Sequence, residues 1–139
     1  MDIQFINAEE WGIEKRVFEP VVSQLRRHLP KAKGELNVIF VDDAKIHRLN
    51  KAYRHMDKPT DVLSFSFIGQ EDPNHDSTLG EIYISVPAAK KQAPHYGNTM
   101  EDELRKLFVH GVLHVFGYDH EREADYQKMT DMEQEILGK

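Results

Sequence analysis

The stretch from Leu104 to Phe116 is apolar at most of its positions, and two histidines, His110 and His114, interrupt it. Its apolar residues are Leu104, Leu107, Phe108, Val109, Val112, Leu113, Val115 and Phe116. A helix that is apolar nearly all round is a buried helix. Thr99 and Asp102 fit a capping box at its start. The pattern therefore predicts a buried central helix over residues 99–116, around which the rest of the chain has to pack.

Periodicity and turn residues predict the remaining elements. Strands are expected at residues 3–7, 36–41, 62–67 and 81–85. Helices are expected at 13–29 and 44–54, in a short segment from residue 86 that Pro94 interrupts or ends, and in a final segment from about Glu121. Pro20 either delays the start of the first helix or kinks it. The polar, turn-rich segment 68–80 is expected to form the longest loop.

The order β-α-β-α-β-β-α-α-α predicts an α+β fold. We expect a single domain over residues 1–139, with a small mixed sheet of about four strands packed with about five helices. Ile46, Leu49 and Tyr53 recur at helical spacing and are expected on one face of the second helix. Met129, Met132 and Ile136 are expected on one face of the last helix.

His110 and His114 are four residues apart, so they point side by side from one face of the central helix. Two imidazoles at that spacing can bind one metal ion. Gly117 stands where a helix-ending glycine belongs, and the left-handed turn it allows can bring His120 back as a third ligand. Three histidines leave an open position for water, which is typical of a catalytic zinc site. A metal lowers the pKa of that water and so favours metal-assisted hydrolysis.

The spacing His-x-x-x-His-x-x-Gly-x-x-His is that of the metzincin peptidases, with one difference. Those enzymes carry a glutamate directly after the first histidine as general base, whereas this chain has Gly111. A peptidase is therefore disfavoured but stays an alternative, as does a set of ordinary histidines without metal. Asp119 has two interpretations, a carboxylate that orients a histidine or a cap for the helix that begins near Glu121.

Composition narrows the chemistry further. The chain has no cysteine, which leaves imidazole and carboxylate as metal donors. A formal net charge of -6 argues against a surface coated in basic residues for bulk nucleic-acid binding, but not against a local basic patch. The N-terminal segment has no signal-peptide pattern, and no apolar run is long enough to span a membrane. A cytoplasmic location is therefore expected.

Basic residues recur every third position along the second predicted helix and just after it. They are Lys45, Arg48, Lys51, Arg54 and Lys58. A solvated helix face is the usual meaning of such a stripe. Arg54, however, ends the helix and leads directly into DKPTDVLSFSF, where a guanidinium could pair with a phosphate through two hydrogen bonds.

Three motifs in order resemble the YbeY family of bacterial rRNA-maturation endoribonucleases. They are YRHMDKPTDVLSFSF (53–67), LGEIYIS (79–85) and HGVLHVFGYDH (110–120). The resemblance runs from about Leu49 to the end of the sequence. The family usually has proline where Ser66 stands, and both Asp and Asn occur at position 61.

The resemblance implies a cytoplasmic, metal-dependent endoribonuclease that cleaves single-stranded RNA, acting in 16S rRNA 3′-end maturation and ribosome quality control. It implies one divalent metal ion, usually taken to be Zn²⁺, with His110, His114 and His120 as ligands and Arg54 as the functional arginine. It also implies a small-subunit ribosomal protein and an Era-type GTPase as partners. Our hypothesis is that water or a 2′-hydroxyl attacks a phosphodiester, while Lys51 and Lys58 hold the flanking strand. A non-catalytic ribosome assembly factor remains an alternative.

Overall fold

The computed structural model describes residues 1–69, 78–119 and 121–139. The strands are β1 (Asp2–Ile6), β2 (Glu35–Val41), β3 (Val62–Ser66) and β4 (Thr78–Ser85). The helices are α1 (Glu19–His28), α2 (Asp43–Arg54), α3 (Val86–Gln92), α4 (Met100–Val115) and α5 (Glu123–Leu137). The element order is the predicted one, and the α+β fold with a small four-stranded sheet is confirmed.

The sheet has the strand order β1-β2-β4-β3. β1, β2 and β4 run parallel, and β3 pairs antiparallel with β4, so the sheet is mixed as expected. The register places Leu63 opposite Tyr83 and Ser64 opposite Ile82. Because neighbouring residues of a strand point to opposite faces, β3 contributes side chains to both faces of the sheet from its position at the edge.

One face of the sheet carries the main core. Leu36, Val38, Phe40, Ile82 and Ile84 are at most 1% exposed there and pack against α4. α4 also contacts α1, α3 and α5. The rings of Phe5, Phe18, Phe40 and Phe108 form an aromatic cluster within this core. The prediction of a buried central helix is thus confirmed, because an apolar helix of this kind needs neighbours on every side.

The opposite face of the sheet has a smaller cluster under α2. Val41, Ile46 and Leu63 are buried, and partly buried neighbours pack against them. Asp42 caps α2, since its Oδ1 accepts a hydrogen bond of 2.8 Å from the backbone N–H of Lys45. α2 crosses this face and ends at Arg54, beside the edge strand β3.

Gly111 allows α4 to lie unusually close to the sheet. A Cβ atom at this position would be 2.7 Å from Cγ2 of Ile82 and 3.2 Å from Oγ of Ser64, closer than side chains normally approach. The close approach lets Oγ of Ser64 donate a 3.2 Å hydrogen bond to the Gly111 carbonyl. It also means that a glutamate at position 111 would point into the sheet rather than into solvent.

Several predicted boundaries differ from the structure. α1 begins at Glu19 with Pro20 in its first turn, after a 3-10 helix at Lys15–Phe18, so the proline delays the helix and does not kink it. β4 begins at Thr78, three residues earlier than predicted, and so takes in the end of the predicted loop. The remainder of that loop, 70–77, lies outside the described residues.

Ile46, Leu49 and Tyr53 lie on one face of α2 as predicted, since all three contact the side of the sheet that carries the small cluster, but burial is lost at Tyr53. Ile46 is fully buried and Leu49 packs on the small cluster, whereas Tyr53 is 65% exposed. The helix ends one residue later, at Arg54, and Tyr53 there lines an open groove instead of the core.

Candidate active site

His110 and His114 lie on the last two turns of α4 and face the same groove. Their Nε2 atoms are 3.0 Å apart, and their rings are nearly perpendicular, with centroids separated by 4.5 Å. The site lies at the carboxyl end of a helix, where the helix dipole favours a positive charge. The structure therefore brings the first two predicted ligands together as the helical spacing requires.

Glu133 is a member of this site that the sequence analysis missed. Its Oε1 lies 2.7 Å from Nδ1 of His110, and both side chains are largely buried. Nδ1 of His110 thus bonds to this carboxylate, while its Nε2 lies 3.0 Å from Nε2 of His114 in the groove. A signal was present in the sequence, because Glu133 is four residues after Met129 and three before Ile136, both buried, on the apolar side of α5.

Gly117 ends α4 as predicted. It has φ of 92°, and the N–H groups of Gly117 and Tyr118 donate to the carbonyls of His114 and Leu113 at 3.0 Å each. This is the Schellman arrangement, which reverses the chain after a helix. His120, the third predicted ligand, lies outside the described residues, and within those residues no group of three or more metal-binding side chains is present.

Arg54, at the end of α2, lines the same groove. Its Nη2 donates a short hydrogen bond to the carbonyl of Ser64, and its guanidinium carbon is 5.2 Å from the centre of the Phe65 ring. Because Ser64 also bonds to Gly111, one residue of β3 connects the arginine to the helix segment next to His110. The arginine is therefore held in place from both the strand and the aromatic ring.

This groove has a volume of about 1070 Å³. Its walls are α2, the loop that follows it, β3 and the end of α4. Of the predicted basic stripe, Arg54 and Lys58 line the groove, whereas Nζ of Lys51 lies 3.9 Å from the carboxylate of Asp57. The stripe is thus divided between the groove and an exposed ion pair.

Short polar contacts brace the loop after α2. Nε2 of His47 lies 2.7 Å from Oδ1 of Asp57, and the amide of Asn50 donates to the carbonyl of Lys58 at 2.9 Å. The hydrogen bond from His47 and the charge of Lys51 hold the pKa of Asp57 below its usual value. Asp61 accepts from the backbone N–H of Val62 and from Gln92 of α3. The loop is therefore fixed at both ends of this groove wall.

Asp119 lines the groove and bonds locally. Its Oδ1 accepts a 3.3 Å hydrogen bond from the backbone N–H of Glu121. α5 begins at Glu123 with Arg122 in the capping position, so Asp119 caps the turn before the helix and not the helix itself. The predicted start of the last helix near Glu121 is two residues early.

Comparisons of the chain with a family model and with known proteins point to the same family. The family model described as endoribonuclease YbeY matches residues 5–139. A protein of Acholeplasma laidlawii named endoribonuclease YbeY is 41% identical over 139 residues, which cover 100% of this chain and 96% of the relative. Its namesake in Desulfitobacterium hafniense is 40% identical, with 96% and 94% covered.

A solved structure supports the same assignment. The solution structure of TM1509 from Thermotoga maritima is similar, with a TM-score of 0.61 and 30% identity, covering 98% of this chain and 89% of that one. The chain belongs to the YbeY family. The expected family and the expected enzyme class, an endoribonuclease, are both confirmed.

The helices α1 to α5 are between 7 and 16 residues long. In the part of the chain that the structure describes, none combines the length and the apolar character that a membrane crossing needs.

Proposed function

We propose that this protein is a metal-dependent endoribonuclease that cleaves single-stranded RNA in the groove between β3 and α4. The metal ligands in this proposal are His110, His114 and His120, and Arg54 is the catalytic residue that binds the reacting phosphate. Membership of the YbeY family supports the reaction class. The roles of the individual residues are argued from the groove.

One observation carries the proposal. The histidine pair and Arg54 line the same groove, and Ser64 connects their supports: its carbonyl accepts from Arg54 and its hydroxyl donates to the carbonyl of Gly111. A guanidinium binds phosphate oxygens in a fixed planar geometry. An arginine held in the same groove as two convergent imidazoles therefore suits a phosphodiester better than a peptide bond.

The described donor atoms fit a metal ion. Two imidazole nitrogens bound to one tetrahedral zinc ion, each at about 2.0–2.1 Å, are separated by about 3.3 Å. The two Nε2 atoms here are 3.0 Å apart, close to that separation. Glu133 supplies the carboxylate that commonly accepts from the other ring nitrogen of a zinc-binding histidine. Zn²⁺ is the ion that we propose on this basis.

When bound, a divalent ion of this kind polarises the phosphoryl group and makes water a better nucleophile near neutral pH. The chain's own residues supply the rest. Arg54 binds a phosphate oxygen and stabilises the negative charge that gathers there in the transition state. Glu133 keeps His110 in one tautomer, and Lys58 on the groove wall attracts the adjoining backbone phosphate. We propose that Lys51 acts on the same strand from its more exposed position.

Gly111 weighs against the peptidase alternative. The position that carries the general base in zincin peptidases is here buried against Ile82 and Ser64, without room for a Cβ atom. A base at this position could not reach a substrate in the groove. The structure accordingly favours a reaction in which phosphate charge is stabilised over one that needs a carboxylate base at position 111.

The test is RNA cleavage by purified variants together with their metal content. We expect His114→Ala to lose both bound metal and cleavage of a single-stranded oligonucleotide. Arg54→Ala should keep its metal and lose about 10²–10³ in kcat, the usual cost of removing one transition-state donor. Arg54→Lys should restore only part of the lost kcat, because lysine lacks the planar guanidinium group that can donate two parallel hydrogen bonds.

Two matched controls accompany these variants. Arg48→Ala removes an arginine from the same helix α2, and His95→Ala removes an exposed histidine of the 3-10 helix after α3. Both should cleave RNA like the parent protein. Parental cleavage by His114→Ala or Arg54→Ala, with contaminating nuclease excluded, would contradict the proposed site. Cleavage of casein that depends on His110 would instead support the peptidase.

We propose further that the natural substrate is the 3′ region of the 16S rRNA precursor, and that the protein works in the cytoplasm beside a small-subunit ribosomal protein and an Era-type GTPase. The three sequence motifs described above support this. Restoration of 16S maturation in depleted cells by the parent, but not by Arg54→Ala, is the expected outcome. Full restoration by Arg54→Ala would favour a non-catalytic assembly factor.

A further inference from the structure

Tyr53 has an aromatic side chain that the fold leaves exposed to solvent. The spacing of α2 predicts it on the buried face, yet it is 65% exposed. It lines the groove next to Arg54, the last residue of α2. His55 then takes a left-handed conformation with φ of 59°, and its backbone N–H caps the helix by donating to the carbonyl of Asn50. An exposed aromatic ring at a substrate groove requires a reason beyond packing.

The neighbours of Tyr53 fix its position without covering it. Its ring centre is 5.5 Å from that of Phe65, at an angle of 76° between the rings. Phe65 is held in turn by Tyr83, at 5.9 Å and 85°, and by the guanidinium of Arg54. Because these contacts are edge-to-face, they anchor Tyr53 while most of its surface stays accessible.

Position distinguishes Tyr53 from two other strongly exposed tyrosines of the described residues. Tyr96 is 63% exposed and Tyr126 is 55% exposed, and neither lines the groove. Tyr96 has the ammonium of Lys106 3.9 Å from its ring centre, whereas Tyr126 lies on α5. Exposure by itself is therefore common in this chain, and the combination of exposure with a place beside Arg54 belongs to Tyr53.

We propose that Tyr53 is a base-stacking residue: its ring stacks on a nucleobase of single-stranded RNA while Arg54 binds a neighbouring phosphate. This inference rests on the proposed RNA-cleaving function and assigns the part of the site that selects the substrate. Every base has a π face, so stacking is insensitive to sequence. A base within a duplex is already stacked and paired, and only an unpaired base can turn onto a protein ring. Tyr53 thus gives a physical origin for a preference for single strands.

The experiment measures RNA binding apart from cleavage. Chelator-treated protein is titrated with a single-stranded oligonucleotide containing 2-aminopurine, whose fluorescence falls when the base stacks. Tyr53→Ala should weaken binding about 5- to 100-fold, the range for loss of one base–aromatic stack, and should abolish the quenching. Tyr53→Phe should retain both. Tyr53→Leu keeps an apolar side chain without a π face and should behave like Tyr53→Ala.

Controls test position and strandedness. Tyr126→Ala should bind the single strand like the parent protein, and Tyr53→Ala should bind duplex RNA as weakly as the parent does. An abasic nucleotide at the stacked position should weaken binding by the parent but not by Tyr53→Ala. Thermal melting of each variant establishes that it is folded. In kinetic assays with metal, Tyr53→Ala should raise KM more than it lowers kcat.

The result that overturns the inference is equal binding by Tyr53→Ala and Tyr126→Ala, or an abasic effect that persists in Tyr53→Ala. Failure of the proposed function has a different signature. A parent protein that binds and quenches the single strand but never cleaves it would contradict the nuclease site and leave the stacking role supported. Absence of RNA binding by the parent would overturn both.

Discussion

The two faces of the sheet differ in how completely they are covered. The face toward α4 is closed by several helices and contains the aromatic core, whereas the face toward α2 has a small cluster around Val41, Ile46 and Leu63. The groove follows β3, where the faces meet. The closed face supplies the histidines and the open face supplies Arg54 and Tyr53. Rigid packing thus places the histidines, and the less covered face leaves the groove open to solvent.

Truncating one phenylalanine on each face should give the largest difference in stability. Phe108 is fully buried in the core under α4, and Phe65 is half-buried beside α2. We expect Phe108→Ala to lower the free energy of unfolding by about 3–5 kcal/mol, and Phe65→Ala to lower it by less than half as much. Denaturant unfolding measures both. Equal losses would show that the two faces are equally packed.

Removing the carboxylate that supports His110 should affect metal binding next most strongly. Glu133→Ala should weaken Zn²⁺ affinity about 10- to 100-fold, because the tautomer and orientation of His110 are no longer fixed. Glu133→Gln should lose less, since its amide oxygen can still accept from Nδ1. Competition with a chromophoric chelator measures the affinity. Glu135→Ala is the matched control, because that carboxylate on the same helix bonds to His28 instead. An equal loss in this control would rule out the specific role of Glu133.

Adding one methyl group at position 111 tests how closely α4 packs against the sheet. Gly111→Ala places a Cβ near Ile82. Overpacking of about 1–3 kcal/mol, offset by about 1 kcal/mol of helix propensity, should leave a net loss of up to about 2 kcal/mol in unfolding free energy. The same substitution should cost less in an Ile82→Ala background, because the clashing methyl is gone. A stabilised Gly111→Ala protein would contradict the close approach.

The smallest expected effect is a dependence of stability on acid pH. Arg105 and the hydroxyl of Thr99 lower the pKa of Asp102 at the start of α4. A lowered carboxyl pKa contributes stability above the unfolded value, near 3.8, and this stability is lost as the pH falls through the folded value. Asp102→Asn should therefore lose less stability between pH 5 and pH 2 than the parent. Identical pH profiles in thermal melts would argue against this contribution.

The sequence predicted α4 and its ends well because the signals there are local. Thr99 accepts from the backbone of Asp102 at 3.1 Å, and Gly117 takes the positive φ that ends the helix. A local signal also explains the correct prediction of α2, since its N-cap residue is Asp42. The family motifs and the element order were likewise readable from short segments of the chain.

What the sequence did not reveal depends on contacts between distant segments. Glu133 contacts His110 across 23 residues, and although its spacing places it on the apolar side of α5, no local pattern identifies His110 as its partner. The exposure of Tyr53 depends on where β3 and the loop after α2 leave the groove open. Its helical spacing therefore predicts the face of α2 but not the burial of the side chain. Pro20 allowed two interpretations, and the 3-10 helix before it decided between them. The third histidine, His120, and the division into one domain stay predictions.

The bond between Ser64 and Gly111 spans 47 residues, and it has a consequence for how the protein becomes active during folding. Contacts between residues so far apart in the sequence form late, because the entropy of closing a long loop is lost before the contact contributes any stability. The wall with Arg54 and the wall with the histidines therefore meet only once β3 has docked on α4. A partly folded chain, even one with α4 already helical, therefore has Arg54 and the histidines on separate segments and lacks the groove that they line.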